Sequence, residues 1–370
     1  MVEVSQGDSS GRGGGPIPPL PPPTRVSHPF HMYDMIRSIP KSFGEVLKQV
    51  EGFGNMPIRG RVYFTGSGTS YYAAWMGSQT LYGRAAYRAV ESNEFVWYEP
   101  VTPDSLTVGV SHSGITKSTV DALAKAKKGG GVTLGITHYA DSPISKVSDY
   151  TLVVGDGPDL SRCHTKTYVD SAAAVLTLAF RFLGGGEAEG FFTGRLPELM
   201  GDVIVRCDVD AAKAAREFVD VKKVFVVSSG YNLVTAREGA LKIKESSYIA
   251  SEGIGLEEFL HGPWVALDRE SLALFIAPSD AAIDRYRVAL RAAEMVGAHT
   301  LAVSDTQLDA HRLFHVPSIP TILTPFITIL PIYLFAYYLS VERGNNPDYL
   351  RYLEPAYWSA RNIIFPPGTH

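Results

Sequence analysis

The chain has 370 residues, of which 45% are hydrophobic, and its formal net charge is −4. This length and composition predict a globular protein with a large core, divided between two similar lobes. The negative charge argues against a general nucleic-acid-binding protein, because no basic surface is available to neutralise the phosphates of a strand. The two cysteines, Cys163 and Cys207, are too few for a disulfide framework, so we expect a cytoplasmic protein.

The N-terminal segment, residues 1–28, is rich in Gly, Ser and Pro and has no apolar stretch that could serve as a secretory leader. We predict that it is a disordered tail. Strands and helices alternate through residues 29–183, which we interpret as lobe 1. Its predicted strands are 61–65, 86–90, 106–110, 132–137 and 150–154, and its predicted helices are 31–50, 68–81, 117–128 and 166–183.

A Gly-rich break introduces a linker at residues 184–198, which is followed by lobe 2 at residues 199–345 and a C-terminal tail at residues 346–370. The predicted strands of lobe 2 are 223–227, 272–276, 299–303 and 313–316, and its predicted helices are 234–250, 281–296 and 326–341. This alternation indicates an α/β fold in which each lobe is a doubly wound, flavodoxin-like parallel sheet flanked by helices. Such sheets bind ligands at the carboxyl ends of their strands.

One apolar stretch, residues 323–341, is about long enough to cross a bilayer. Pro325 and Pro331 interrupt it, and proline removes backbone donors that lipid cannot replace. We therefore predict a helix buried in the protein core and no association with a membrane.

The lobes repeat the same half-domain, but only lobe 1 has a hydroxyl-rich loop after its third strand. Ser111, Ser113 and Thr116 lie there, opposite a second strand-to-helix turn at Thr69 and Ser70. The first amides of a helix have no intrahelical acceptor, and the helix dipole is positive at that end, so the loop predicts a site for a phosphate dianion. The alternatives are simple helix caps, or a dinucleotide-binding loop, for which the third glycine is missing.

The predicted helix at residues 234–250, in lobe 2, carries three charged residues on one face. Glu238, Lys242 and Glu245 are spaced at i, i+4 and i+7, which is also the pattern of a solvated ion pair. Because this helix follows a ligand-facing strand, we predict that Glu245 is a general base whose pKa is raised by burial. His261 lies in a predicted loop and could reach the same site only through folding or across a subunit interface.

Taken together, these segments resemble the sugar isomerase (SIS) family, most closely the isomerase domain of glucosamine-6-phosphate synthase. The similarity covers residues 31–353. In lobe 1 the similar segments are Gly68-Thr69-Ser70-Tyr71, Glu91-Ser92-Asn93-Glu94-Phe95, Ser111-His112-Ser113-Gly114 and Thr165-Lys166. In lobe 2 they are Glu238 to Glu245 and Glu258-Phe259-Leu260-His261-Gly262-Pro263, which are the most specific.

The resemblance implies a role for each candidate residue. The sugar phosphate would be bound by the hydroxyls of Thr69, Ser111, Ser113 and Thr116. Ser70 would lie beside it. Glu245 would move a proton between C1 and C2, and His261 of a neighbouring subunit would help to open the sugar ring, which requires a homodimer. The same comparison puts His112, His164, Glu238 and Lys242 in the substrate site.

The sequence also departs from the family pattern. The family has Gln at His112 and Ser at His164, so we expect His112 to contact phosphate through its backbone only. Neither a glutaminase domain nor its N-terminal cysteine is present in the sequence, so glutamine-dependent amination is not expected. Pro355 stands where the tail of the synthase has a substrate-binding lysine. Lys242, Lys244 and Arg361 are the candidates to replace that lysine.

We therefore predict a phosphosugar isomerase acting on a hexose or hexosamine 6-phosphate by enediol or enolamine proton transfer. One alternative is a glucosamine-6-phosphate deaminase, and another, from a different class, is a sugar-phosphate sensor without turnover. No metal and no cofactor are predicted, because the histidine spacing is not that of a metal site except at His28 and His31, beside the tail.

Overall fold

The computed structural model of the chain describes residues 24–53, 60–80, 87–183 and 186–366. Lobe 1 is built on a five-stranded parallel sheet with the strand order β2-β1-β3-β4-β5. Its strands are β1 Arg61–Gly66, β2 Tyr87–Glu91, β3 Ser105–Val110, β4 Val132–Thr137 and β5 Tyr150–Val153. Its helices are α1 His31–Glu51, α2 Thr69–Thr80, α3 Ser92–Tyr98, α4 Lys117–Lys128, α5 Pro143–Val147 and α6 Lys166–Leu183.

Lobe 2 has a second five-stranded parallel sheet, with the order β10-β9-β8-β6-β7. Its strands are β6 Lys223–Ser228, β7 Ala250–Gly255, β8 Ser271–Ile276, β9 His299–Ser304 and β10 Arg312–His315. The remaining helices are α7 Gly186–Gly194, α8 Leu196–Glu217, α9 Leu233–Ser247, α10 Leu256–Leu260, α11 Ile283–Met295, α12 Thr324–Glu342 and α13 Pro355–Ile364.

The two sheets have the same topology, because each corresponds to the flavodoxin-like order 2-1-3-4-5. The predicted α/β fold with two doubly wound lobes is therefore confirmed. All six residues of β3 and all six of β8 are buried, as expected for a parallel strand covered by helices on both faces. In lobe 1 the strand order reverses between β1 and β3, so the loops that follow these two strands border the same crevice.

Helix α12 is the apolar stretch that is long enough to cross a bilayer. In the structure 89% of its most apolar window is buried, so it is a core helix, as its two prolines predicted. It packs against α8 and α9, and the ring of Phe326 lies 5.6 Å from that of Phe43 on α1. The two lobes therefore share one hydrophobic core.

Strand β7 was not predicted, and the helix predicted before it, at residues 234–250, extends too far at its C-terminal end. Helix α9 ends at Ser247 rather than at residue 250, because Tyr248 adopts a left-handed backbone conformation with φ of 60°. The polar and glycine-rich sequence of β7 is typical of a loop. Gly253 is required there, because a Cβ atom would lie 2.3 Å from the backbone of Arg237 on α9.

The structure also changes the interpretation of the connecting segments. Residues 24–28 of the predicted disordered tail make contacts: Arg25 pairs with Asp34 at 2.6 Å, and His28 Nδ1 lies 2.7 Å from the Tyr337 hydroxyl. Residues 1–23 lie outside the described residues. Within the predicted linker, helix α7 occupies residues 186–194 and α8 begins at Leu196.

Candidate active site

The hydroxyl-rich loop of lobe 1 connects β3 to α4. Ser111 Oγ donates a hydrogen bond to Thr116 Oγ1 at 3.1 Å and accepts one from the Gly114 amide at 3.1 Å. Ser113 Oγ accepts a longer bond, of 3.4 Å, from the Ile115 amide. Thr116 is the N-cap residue of α4 but makes no side-chain cap hydrogen bond. The hydroxyls of Ser111 and Ser113 thus accept hydrogen bonds from backbone amides of the loop. The hydroxyl of Thr116 is bonded to Ser111 and does not cap α4.

Gly114 allows this loop to turn tightly against the neighbouring segment. Its φ of +67° is in the left-handed region, and a Cβ atom would lie 2.3 Å from Ser142 Oγ. No other residue fits this position without moving its neighbour.

A second loop, between β1 and α2, lies beside the first. Ser67 Oγ is 3.1 Å from Ser118 Oγ, in the first turn of α4, and donates to Glu91 Oε1 at 2.7 Å. Gly66 permits the close approach of α2, since a Cβ there would lie 2.7 Å from the backbone of Ser70. Two helix N-termini therefore border the β1–β3 crevice, an arrangement suited to an anion.

Three charged side chains of α9 form a cluster in lobe 2. Lys242 Nζ donates to Glu245 Oε2 at 2.5 Å and lies 3.5 Å from Glu238 Oε1. The Lys242 side chain is 1% exposed and that of Glu238 is fully buried. The alternative of a solvated surface pair is therefore wrong, while the predicted common face of the three residues is confirmed.

Burial determines the protonation of this cluster. It raises the pKa of Glu238 to about 7, although the positive charge of Lys242 acts in the opposite direction. Burial acts to lower the pKa of Lys242, but the charges of Glu238 and Glu245 outweigh it, and the pKa is raised. A buried ammonium group thus lies between a carboxyl group that titrates near neutral pH and a carboxylate that reaches solvent.

Thr69 joins this cluster instead of lying only at the phosphate loop. Its hydroxyl accepts a hydrogen bond from Lys242 Nζ at 2.9 Å and donates to Glu238 Oε2 at 3.2 Å. Because Thr69 opens α2, the first turn of a lobe 1 helix touches the charged helix of lobe 2. A chain of hydrogen bonds therefore runs from the first turn of α2 through Lys242 to Glu245.

Glu245 faces a cavity at the end of α9. Its side chain is 25% exposed, so the prediction that Glu245 is the buried carboxylate was wrong, and Glu238 has that place. The cavity has a volume of about 370 Å³ and is also lined by Tyr248, Arg351 and Tyr357. The Tyr248 hydroxyl donates to the carbonyl of Leu350, which holds the C-terminal segment against this cavity.

Two of the three candidates to replace the missing lysine lie near Glu245. Lys242 bonds to it directly, and Lys244 lines the same cavity. Arg361 is on α13 and does not line that cavity, whereas Arg351, for which the sequence predicted no role, does. The Arg351 guanidinium lies 4.4 Å from the ring of Tyr357.

His261 lies at the end of α10, on the surface of lobe 2. Its side chain is 74% exposed, and its Nδ1 lies 2.7 Å from the carbonyl oxygen of Glu257. It does not line the cavity that contains Glu245. Within the described residues of one chain, the structure does not bring His261 to the charged cluster.

His112 and His164 pack together behind the phosphate loop. Their ring centroids are 4.7 Å apart, and the ring of His138 lies 4.6 Å from that of His112. Burial lowers the pKa of His112 and of His138 to about 3 and that of His164 well below its ordinary value. In the parts of the chain that the structure describes, no group of three or more His, Cys, Asp or Glu side chains could hold a metal ion.

Tyr333 and His138, like Arg351, were not predicted from the sequence to belong to the site. Tyr333 donates from its hydroxyl to Glu238 Oε1 at 3.1 Å, but it comes from the apolar helix α12 and was counted as core. His138 directly follows β4 and its amide donates to the carbonyl of His112, as expected for adjacent parallel strands that end together. Its position after a strand was a signal that the sequence offered.

Comparison with known proteins identifies relatives of the whole two-lobed region. The chain is 32% identical over 302 residues to the glutamine–fructose-6-phosphate aminotransferase [isomerizing] of Pyrococcus horikoshii, a match that covers 78% of this chain. It spans about half the length of the curated relatives it matches, 50% in this case.

Solved structures share the fold. The C-terminal domain of glucosamine-fructose-6-phosphate aminotransferase from Francisella tularensis matches with a TM-score of 0.77 and 22% identity, over 87% of this chain and 98% of that one. Glucosamine-6-phosphate deaminase from Thermotoga maritima matches with a TM-score of 0.73 and 21% identity, over 88% of this chain and 97% of that one. The SIS domain model matches residues 58–181 and 217–343, which together are more than half of the chain. The chain belongs to the SIS domain family, of which it carries two copies.

Proposed function

We propose that this protein is a phosphosugar isomerase that acts on a hexose or hexosamine 6-phosphate. The observation that carries the proposal is the cluster of Glu238, Lys242 and Glu245, which Thr69 connects to the loops at the β1–β3 crevice. Aldose–ketose interconversion needs a dianion site and, a few ångströms away, a base that can reach two adjacent carbons. The match to an isomerising aminotransferase supports the same class of substrate.

In this mechanism Glu245 carries the proton. Its carboxylate removes a proton from C2 of the aldose, or C1 of the ketose, and returns it to the neighbouring carbon of the enediol or enolamine. The ammonium group of Lys242, held 2.5 Å from Glu245, keeps that carboxylate oriented and supplies positive charge beside the developing oxyanion. Such a base contributes about 10²–10⁴-fold to the rate.

The phosphate is held by the loop between β3 and α4. In this proposal the first amides of α4 and the hydroxyls of Ser111, Ser113 and Thr116 bind the phosphate, with Ser70, in the first turn of α2, beside it. Lys117, at the start of α4, is ion-paired with Asp121 at 2.6 Å, so the site uses backbone dipoles more than side-chain cations.

His261 would act on the site of a second copy. Its exposure, and the 72% exposure of the nearby Val265, support an interface at this surface in a homodimer. Imidazole suits the proton transfers that open a sugar ring. Each site would then combine Glu245 of one subunit with the histidine of the other.

The test is proton NMR in D2O with glucosamine-6-phosphate, and separately with fructose-6-phosphate with and without ammonium. The wild type is compared with Glu245→Gln and with a matched control, Glu270→Gln, an exposed residue directly before β8 that does not line the cavity. Deuterium entering C1 or C2 with the wild type and the control, and at least about 100-fold more slowly with Glu245→Gln, is the expected result.

The other outcomes separate the alternatives. Release of ammonia from glucosamine-6-phosphate would make the protein a deaminase that uses the same enolamine. Binding of either sugar without any exchange would contradict the isomerase proposal and indicate a sensor. Equal rates of deuterium exchange in the wild type and Glu245→Gln would show that Glu245 does not carry the proton.

A further inference from the structure

Three histidines meet directly behind the phosphate loop. His112 belongs to the loop itself, His138 follows β4, and His164 precedes α6. The ring of His112 lies between the other two, at centroid distances of 4.6 Å to His138 and 4.7 Å to His164. Three parts of lobe 1 that are distant in sequence thus place imidazoles in contact, and we call this group the histidine cluster.

The histidine cluster has unused capacity for hydrogen bonding. The Nδ1 atom of each of the three rings is buried and has no hydrogen-bond partner among the described residues. The side chain of His138 is 1% exposed, and its Nε2 lies 3.3 Å from Asp170 Oδ2, also buried. Buried nitrogens without partners are costly, and they usually serve a purpose when they occur together.

Other charged and titratable groups face the cluster from each neighbouring element. They are Lys166, Asp156 and Asp170 from α6 and the segment before it, Tyr139 after β4, Arg162 in the adjacent loop, and Lys242 from lobe 2. Lys166 is paired with Asp156 at 2.8 Å. Asp170 accepts a hydrogen bond from Ser42 at 2.8 Å, and burial raises its pKa to about 7. The carboxylate nearest to the rings is therefore close to protonation at neutral pH.

We propose that the histidine cluster takes up a proton when a phosphate dianion binds to the loop, and so supplies the positive charge that the loop itself lacks. The inference rests on the phosphate site of the proposed function. Ser111 and Ser113 flank His112 in the sequence, so a dianion held by their hydroxyls binds to residues adjacent to a member of the histidine cluster. A nearby negative charge favours the charged form of a histidine and opposes the effect of burial.

The proton comes from solvent and is taken up by an imidazole nitrogen of the histidine cluster. Without ligand, burial and mutual repulsion keep the three rings neutral. With ligand, the dianion and Asp170 provide two negative neighbours for one imidazolium. Linkage requires that protonation strengthens dianion binding by the same factor by which the dianion strengthens proton binding.

The experiment is isothermal titration of fructose-6-phosphate at about pH 7 in buffers of different ionisation enthalpy, on a Glu245→Gln background that prevents turnover. The dependence of the heat on the buffer gives the protons taken up per ligand. His112→Gln and His164→Ser test the cluster, and His315→Gln, in lobe 2, is the matched control. Asp170→Asn is a second route if the histidine variants fold poorly. Nitrogen NMR of the imidazole rings during addition of inorganic phosphate reports their protonation state directly.

The expected result is proton uptake that is retained in His315→Gln and reduced in the cluster variants, together with weaker binding below about pH 7 in those variants. Equal proton uptake in all proteins would overturn the inference and leave the proposed function intact. Proton uptake that is lower in the cluster variants than in His315→Gln, in a protein whose wild type shows no deuterium exchange, would support the inference and contradict the isomerase proposal. If neither fructose-6-phosphate nor inorganic phosphate binds, both proposals fall.

Discussion

Replacing the buried carboxyl group of Glu238 should change how stability depends on pH. The pKa of Glu238 is raised from 4.5 to about 7, mainly by burial. A carboxyl group whose pKa is higher in the folded state binds more protons when folded, so the stability it contributes is present below pH 4.5 and is lost as pH rises to about 7. A shift of this size corresponds to about 3 kcal/mol of unfolding free energy.

Glu238→Gln keeps the shape and cannot ionise. Its amide can accept from the Tyr333 hydroxyl and donate to Thr69 Oγ1, so we expect the variant to be within about 1 kcal/mol of the wild type near pH 5. Relative to the wild type it should then gain about 3 kcal/mol by pH 8.

The measurement is urea denaturation of both proteins at several pH values between about 5 and 8. Using the difference between the two proteins removes the contributions of other titrating groups, including the histidine cluster and Asp170. A difference that stays constant across this range, or that falls as pH rises, would refute the argument that Glu238 is protonated near neutrality. Glu270→Gln, at an exposed carboxylate, should show no such trend.

Three further predictions concern the site. Lys242→Met should destabilise the protein by about 3–5 kcal/mol, measured by urea denaturation, because a buried carboxyl and its partner lose their cation; an unchanged midpoint would contradict this. Gly114→Ala should weaken fructose-6-phosphate binding at least about tenfold by calorimetry, whereas Gly344→Ala, also at positive φ but with open space around it, should only lower stability by about 1 kcal/mol. Mixed subunits of Glu245→Gln and His261→Asn should regain up to about a quarter of the activity if the histidine acts across a dimer; no recovery despite proven subunit exchange would exclude that.

The sequence was informative about the fold because apolar strands and amphipathic helices alternate with clear periods. The predicted helix at residues 117–128 and the predicted strand at residues 132–137 match the structure at both ends. Strand β7 was missed because its glycine and polar residues serve a close approach to α9, and this tertiary demand overrides strand propensity. Helix α13 was missed as well, since none of its residues is buried and no apolar pattern marks it clearly.

The sequence predicted which residues of the site share a face, but not how deeply each is buried. A spacing of i, i+4 and i+7 places Glu238, Lys242 and Glu245 on one side of α9, and it cannot reveal that α12 covers only the first of the two glutamates. The depth of each side chain depends on what packs against the helix, in this case Tyr333, which is 95 residues from Glu238 in the chain. The burial and the raised pKa that were expected of Glu245 therefore belong to Glu238, while Glu245 is partly accessible.

This division suits the proposed chemistry better than the single buried base that the sequence suggested. A base must be accessible to its substrate, and Glu245 opens onto the cavity, while a hydrogen bond from Lys242 orients its carboxyl group. Glu238, protonated near neutral pH, holds the other side of Lys242 without adding a second full negative charge to a buried space. Thr69 contacts both Lys242 and Glu238 from the first turn of α2, beside the phosphate loops. Any movement of that turn on phosphate binding would act directly on the cation that orients the base, so the two lobes need each other for more than their common core.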